Sequence, residues 1–309
     1  QYVESRQDVK ESTRVNWLQV VGDLETFFEP DRAMDSITEG EAEAFRVWLV
    51  ADRNLAPSTV NRRCKRARQF FEAAIKDGGI TDDPFRDVKG GQSINRERME
   101  FVGRELIDEV MAASPDDEFR LIIALARYGG LRIPSELAEL RWGDIDWEKG
   151  RVVIHSPKTA HQGKPTREIP LFEELLQPLL MLLDKADTDE EFVIVKYRDR
   201  ANLRTQFKRA IKRAGHECWP KLFQNLRSSR QTELVNDFPA HVVAAWQGNT
   251  IDVANRHYLQ VTDEHFARAS EKATQKATQQ IAACTRNDPK GIDAGETLTD
   301  LFARVCEVI

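Results

Sequence analysis

The chain of 309 residues lacks long apolar runs and has few cysteines, and each shortage argues against a class of protein. No apolar stretch approaches the roughly 20 residues that span a bilayer, so we expect no membrane partner. The four cysteines are far apart and form no CxxC pair, which favours free thiols in a reducing cytoplasm over a disulfide framework. They are Cys64, Cys218, Cys284 and Cys306.

Motifs that bind nucleotides or metals are also missing. There is no GxxxxGK[ST] loop, because Gly163-Lys164 is followed by Pro165, and neither HExxH nor GxSxG occurs. The six histidines lack metal-ligand spacing, and a site at His216 and Cys218 would need distant ligands. No tight acidic cluster indicates a two-metal nuclease. We therefore expect chemistry without a metal, a nucleotide or another cofactor.

The net charge of −6 does not indicate a nucleic-acid partner, but the basic residues are clustered. Residues 53–68 hold six Lys/Arg and no acid, and residues 196–230 hold eleven Lys/Arg against two acids. Such local surfaces bind phosphate whatever the whole-chain charge, because salt screens charges beyond about 10 Å. Solvated helix faces that bind nothing are the alternative. Together the two runs favour double-stranded DNA, with contacts predicted at Arg62, Arg63, Lys65, Arg66, Arg204 and Lys208.

Helical spacing of apolar residues organises the first third of the chain. The predicted helices are about 15–28, 38 or 41 to 51, and 59–76. Residues 1–15 are expected to be frayed, and Ser58 or Thr59 is expected to cap the third helix. The polar, glycine-containing stretch 89–98 is interpreted as a linker that follows a helical domain of residues 1–88.

A larger domain is predicted from residue 99 to residue 285. GRVVIHS and TREIPL are predicted as two strands joined by a polar loop, and EFVIVKY as a buried strand or extended piece. Helices surround them, one strongly basic at about 204–213. A tail of residues 286–309 carries a short amphipathic helix. The fold class is therefore mainly α with a small antiparallel β-sheet.

The stretch VVAAWQGNTIDVANRHYLQ, residues 242–260, combines an apolar helix end, a Gly-Asn break, a short polar helix and Tyr258. A tyrosine in this place is either a core aromatic or a nucleophile at the rim of a cleft. A tyrosine hydroxyl has a pKa of about 10 and needs nearby cations to become a useful nucleophile.

Four boxes in the second domain supply such cations. They are Gly129–Arg132 with Ser135–Leu137 and Leu140–Ile145; Lys158-Thr159; Gln224–Arg227; and Trp246–Asn249, with Tyr258 nine residues after Asn249. The set spans about residues 100–265 and resembles the tyrosine recombinases, also called phage integrases. One box alone is a weak signal, but four in the correct order are fairly specific. The basic helical first domain is similar, more loosely, to the core-binding domain of that family.

The resemblance implies a two-domain clamp on DNA and a metal- and ATP-independent strand transferase. Tyr258 would attack a phosphodiester and form a 3′-phosphotyrosine, while Arg132 and Arg227 hold the non-bridging oxygens that gain charge. Lys158 would protonate the departing 5′-oxygen. Because the covalent product keeps the bond energy, no ATP is needed. The family also implies a homo-oligomer on DNA, a tetrameric synapse, and a role in integration and mobile elements.

Two positions depart from the family pattern. Gln224 and Asn249 stand where histidines are usual, and carboxamides hydrogen-bond without exchanging protons. They are expected to bind the phosphate or to orient Tyr258, and neither carboxamide can act as a general base. His257, next to the tyrosine, is a weak candidate for that role.

Two of the assignments have competitors nearby in the sequence. Lys164 lies in the same loop as the hairpin lysine, and Arg230 lies one turn from Arg227. Pro134 is an extra residue in the first box, which would shift Glu136 from its supporting role. The sequence leaves three rival functions open. They are a DNA-binding protein with impaired catalysis, a topoisomerase-like enzyme, and a helical scaffold that binds no nucleic acid.

Overall fold

The computed structural model describes residues 2–91, 96–157, 160, 163, 165–198, 202–262 and 265–268. The helices are α1 Tyr2–Ser5, α2 Glu11–Phe28, α3 Glu39–Ala51, α4 Pro57–Lys76, α5 Arg104–Ala112, α6 Asp117–Arg127, α7 Glu173–Leu183, α8 Leu203–Arg213, α9 Leu222–Asp237, α10 Ala240–Gln247 and α11 Ile251–His257. The strands are β1 Ile145–Asp146, β2 Arg151–His155 and β3 Thr166–Pro170. None of the described helices is long and apolar enough to cross a membrane.

The first hydrophobic core lies among α1, α2, α3 and α4 and extends from Val3 to Val88. Phe45 and Phe85 are fully buried in it, and their rings meet edge to face at 5.7 Å. The expectation that residues 1–15 are frayed is wrong for α1. Tyr2 packs its ring 5.4 Å from that of Trp17, so the apolar side chains of this segment have a place in the core.

Local chemistry explains where two of these helices begin. Thr38 precedes α3 and forms a capping box with Glu41, in which the Thr38 N–H donates to Glu41 Oε2 at 2.9 Å. The cap predicted for α4 is wrong: the helix begins at Pro57 after Ala56, and no side chain caps it. Proline suits the first helical position because that residue needs no N–H partner.

The second core extends from Val102 to Leu226, with α6 at its centre. The antiparallel sheet runs in the order β1-β2-β3 and pairs Val152 with Ile169 and Ile154 with Arg167. The predicted fold class, mainly α with a small antiparallel sheet, is confirmed. EFVIVKY is an extended piece in which Val193 and Ile194 are buried, and a β-bridge links its Phe192 to Arg141.

The segment that connects the two cores begins in contact with the first core. Asn61 Nδ2 on α4 donates to the Gly91 carbonyl at 2.9 Å. A Cβ added to Gly90 would lie 2.2 Å from the Asn61 Cα, so only glycine allows the chain to pass this close to α4. Farther on, the Val102 N–H donates to Ser229 Oγ at 2.7 Å and joins the start of the second core to α9.

Candidate active site

Two glycine turns of the second domain approach each other closely. Gly130 follows the end of α6 with φ +64°, and Gly248 ends α10 with φ +62°, both in the left-handed region. A Cβ on Gly130 would lie 2.3 Å from Gln247 Nε2, and one on Gly248 would lie 2.9 Å from Arg167 Cδ. Glycine at both positions therefore lets the two turns approach and hold arginines between them.

Arg132 leaves the first turn and is held on both sides. Its Nη1 donates to Glu136 Oε1 at 2.5 Å, and its backbone N–H donates to Glu136 Oε2 at 2.7 Å. Its Nη2 donates to the Gly248 carbonyl. The displacement of Glu136 expected from Pro134 is therefore wrong, since the carboxylate supports Arg132 directly.

Arg227 lies on α9 and is 2% exposed. It donates to the Gly130 carbonyl at 2.6 Å and to the Gln247 carbonyl, so both glycine turns converge on it. Its Nε is buried without a hydrogen-bond partner among the described residues. Burial, followed by repulsion from Arg132, lowers the pKa of Arg227 to about 10. The side chain still carries its charge at neutral pH, and a bound anion would relieve the cost of burying it.

Arg230, the competitor of Arg227, belongs to a different cluster. It donates to the Tyr128 carbonyl at 2.8 Å and pairs with Glu174 and Glu233. Because Arg230 pairs directly with two carboxylates, which it shares with Arg104 and Arg127, it is less available to a phosphate than Arg227.

A third arginine, Arg167 on β3, was missed in the sequence. Its guanidinium donates to both oxygens of Glu136, at 2.5 and 2.8 Å, and to Ser156 Oγ at 2.7 Å. Its Nε donates to the Trp246 carbonyl at 2.6 Å. Strand alternation was an available signal, because Arg167 shares its sheet face with the buried Ile169.

Arg132 and Arg167 both pair with the Glu136 carboxylate and Arg227 acts on it electrostatically, so three guanidiniums face one carboxylate with an excess of two positive charges. Burial acts to raise the pKa of Glu136, but the hydrogen bonds and charge of Arg167 and the charges of Arg132 and Arg227 outweigh it and lower the pKa to about 2. A largely buried cluster with excess positive charge favours the binding of an anion with several oxygens. Across the described ranges, no group of three or more His, Cys, Asp or Glu is placed to hold a metal ion.

Tyr258 directly follows α11 and lies beside this cluster. The Arg227 guanidinium carbon lies 5.3 Å from its ring centroid, and Ser228 Oγ on α9 donates to its carbonyl. The half-buried side chain has no hydrogen bond to its hydroxyl from any described residue. Tyr258 is thus held by its backbone and ring, while its hydroxyl stays available.

The other three tyrosines have engaged hydroxyls. Tyr128 donates to Asp108 at 3.0 Å, and burial together with that carboxylate raises its pKa to about 12. Tyr197 donates to Asp116 at 2.9 Å, and the Tyr2 hydroxyl accepts from Gln69 at 2.8 Å. Among the tyrosines, Tyr258 alone combines a hydroxyl free of described partners with neighbouring guanidiniums.

The two carboxamides in histidine positions have different surroundings. Gln224 is exposed on the first turn of α9, one turn before Arg227. Asn249 is half-buried, and its Nδ2 donates to Gln231 Oε1 at 3.0 Å. Lys158 and its competitor Lys164 lie outside the described residues, as does the side chain of His257.

Some cations of the basic helix α4 have side-chain partners, and others are exposed to solvent. Arg63 pairs with the buried Asp23 at 3.0 Å, and Arg66 donates to Gln69 at 2.6 Å. Arg62 and Lys65 are exposed.

On α8, Arg204 and Lys208 are exposed one turn apart, beside the face that buries Phe207 and Ile211. The helix presents both cations to solvent together, which is the arrangement that contact with a phosphate backbone needs.

Comparison with known proteins agrees with this architecture. Residues 101–265, more than half of the chain, match the Phage integrase family, and residues 1–91 match the Phage integrase SAM-like domain. The chain belongs to the phage integrase family, as the sequence predicted. It is 28% identical over 179 residues to a tyrosine recombinase XerA of Thermococcus onnurineus, a match covering 55% of this chain and 61% of that protein.

Solved structures share the fold at low sequence identity. The Tn1549 transposon integrase in complex with transposon right end DNA superposes with a TM-score of 0.70 at 20% identity, covering 88% of this chain and 97% of that one. A lambda integrase from a tetramer bound to a Holliday junction gives a TM-score of 0.67 at 19% identity, covering 84% and 74%. These likenesses extend over both cores.

Proposed function

We propose that this protein is a site-specific DNA recombinase that cleaves and rejoins strands through a 3′-phosphotyrosine at Tyr258. The observation that carries the proposal is the charge excess beside that residue. Arg132, Arg167 and Arg227 face a single carboxylate, and Arg227 lies against the tyrosine ring. Membership of the phage integrase family supports DNA strand transfer as the reaction class.

In the proposed reaction the Tyr258 oxygen attacks phosphorus, a new O–P bond forms and the P–O5′ bond breaks. The tyrosine proton leaves to solvent, and Lys158 gives its proton to the departing 5′-oxygen. Arg132 and Arg227 hold the non-bridging oxygens as their charge grows, a role whose loss costs about 10²–10³ in rate for comparable donors. A free 5′-hydroxyl then reverses the step. The guanidiniums supply the positive charge and the phosphotyrosine keeps the bond energy, so neither metal nor ATP is required.

Gln224 and Asn249 act as neutral hydrogen-bond donors in this proposal. Each carboxamide offers N–H groups to phosphate oxygens but takes no proton. The exposure of Gln224 at the start of α9, one turn from Arg227, supports such a contact.

Double-stranded DNA is the proposed substrate. Arg62 and Lys65 on α4 and Arg204 and Lys208 on α8 are exposed cations for its backbone. Arg63 and Arg66, also predicted contacts, would first have to leave Asp23 and Gln69.

The predicted organisation remains part of the proposal: a core-binding domain at 1–88, a linker at 89–98, a catalytic domain at 99–285 and a tail at 286–309. A homo-oligomer on DNA, a tetrameric synapse, is proposed by analogy with the tetrameric lambda integrase on a Holliday junction. A cytoplasmic location is likewise a prediction.

A covalent trap tests the proposal. The protein is incubated with nicked duplexes tiled from the DNA that flanks its coding region, denatured, and resolved from free DNA. We expect an adduct that forms with wild-type protein and not with Tyr258→Phe. The rival function, DNA binding with impaired catalysis, is favoured by the carboxamides at 224 and 249, and it predicts salt-dependent binding without any adduct. A topoisomerase-like enzyme would instead relax supercoils without a specific site.

A further inference from the structure

Asn249 and Gln231 form a reciprocal pair of carboxamide hydrogen bonds beside the arginine cluster. Asn249 Nδ2 donates to Gln231 Oε1 at 3.0 Å, and Gln231 Nε2 donates in return to Asn249 Oδ1 at 3.4 Å. Gln231 is 1% exposed. A buried carboxamide is costly unless its oxygen and nitrogen are both hydrogen-bonded, so the pair favours one orientation of both side chains.

The pair joins the two elements that hold the site arginines. Gln231 lies one turn beyond Arg227 on α9, and Asn249 follows Gly248, whose carbonyl accepts from Arg132. An amide nitrogen carries two N–H donors. Asn249 donates one of these N–H groups to Gln231, and its oxygen accepts from Gln231. The second N–H of Asn249 is left to donate to a ligand.

We propose that Gln231 is a positioning residue, which orients the Asn249 carboxamide so that its second N–H donates to a non-bridging oxygen of the phosphate attacked by Tyr258. This role rests on the strand-transfer function proposed above. Neither carboxamide titrates near neutral pH, so the donor keeps its strength where a histidine would gain or lose a proton. The pair thus replaces an ionisable donor with one whose orientation is fixed by a buried partner.

A purely structural role for the pair makes a different prediction. If Gln231 only joins α9 to α10, its loss lowers stability and affects cleavage in the same way whether or not Asn249 is present. If it acts through Asn249, its loss has no further effect once Asn249 has been removed. A double-mutant cycle separates these cases.

The first test measures single-turnover cleavage of the nicked flanking duplexes by the full chain. We expect Gln231→Leu to slow cleavage about tenfold, by analogy with partners that orient a functional group, and Asn249→Ala about 10²-fold. The double variant should be within about twofold of Asn249→Ala, and affinity for the same DNA should change less than about twofold. Multiplicative losses, or a loss of affinity without a loss of rate, would overturn the positioning role.

A control variant on the same helix accounts for loosened packing. Leu234→Ala removes a buried side chain from α9 without touching the amide pair. We expect it to lower the unfolding temperature yet leave the cleavage rate within about twofold of wild type. If it slows cleavage as much as Gln231→Leu, the effect of Gln231 is structural and the proposal is overturned.

The second test uses tungstate, a tetrahedral oxyanion, and needs no DNA site. Calorimetry should show weaker tungstate binding in Gln231→Leu and in Asn249→Ala, with no further loss in the double variant. That result without any DNA adduct keeps the positioning role and removes strand transfer. An adduct with wild type, combined with additive losses in both assays, keeps strand transfer and removes the positioning role.

Discussion

Replacing Glu136 with glutamine removes the carboxylate that pairs with Arg132 and Arg167 and lies in the field of Arg227. The cluster lowers its pKa from the ordinary 4.5 to about 2. That change corresponds to about 3 kcal/mol, at roughly 1.4 kcal/mol for each tenfold change in proton affinity. Glu136 is 1% exposed, so solvent screening takes little from this figure. We expect Glu136→Gln to lower the free energy of unfolding at pH 7 by about 3 kcal/mol, within the range for breaking a buried ion pair.

The pH dependence has a definite sign. Because the folded-state pKa lies below the unfolded value, the contribution of Glu136 is complete above about pH 4.5 and is lost as the pH falls towards about 2. Urea unfolding followed at several pH values should show the gap between wild type and Glu136→Gln closing over that window. Glu168→Gln is the control, since its pair with Arg151 is exposed and worth well under about 1 kcal/mol. A gap of equal size at pH 7 and pH 3 would refute the reasoning.

Three further outcomes are expected. Gly248→Ala should reduce cleavage about 10²-fold or more, since its Cβ would lie 2.9 Å from Arg167 Cδ at a φ of +62°; normal single-turnover rates would contradict this. Changing Arg62 and Lys65 together to glutamine should lower the slope of log affinity against log salt concentration by about 2. The control Arg63→Gln should chiefly lower thermal stability, because it removes one ion-pair partner of the buried Asp23. Equal salt slopes in the double variant and in wild type would count against α4 as a DNA contact. Cleavage measured from pH 5.5 to 8 should show no step from residues 224 and 249, and Asn249→His should introduce one near pH 6.5; a wild-type step at that pH would point to another titrating group.

Local patterns in the sequence point to one part of the candidate site. Arg132, Arg227 and Tyr258 lie in short boxes whose glycines and spacing are visible without any tertiary information. Arg167 was missed because its role depends on Glu136, a residue 31 positions away that only β-sheet register and the glycine turns bring close. The pair of Gln231 and Asn249 is not visible in the sequence for the same reason, since the two residues lie 18 positions apart.

Fold errors had local causes as well. The polar composition around α1 predicts fraying, yet Val3 is buried and Tyr2 packs against Trp17. The sequence around α4 predicts a side-chain cap, but a proline at the first position is enough to start the helix. In both places the local structure depends on a few specific contacts or on one residue type. Average composition predicts neither.

The bond between Tyr258 and DNA is the central claim, and mass spectrometry of the trapped adduct tests it most directly. After nuclease and protease digestion, we predict a nucleotide 3′-phosphate attached to the peptide that contains Tyr258. Attachment to Tyr2, Tyr128 or Tyr197, or to a serine, would contradict the account, because the hydroxyls of those three tyrosines are engaged by other side chains.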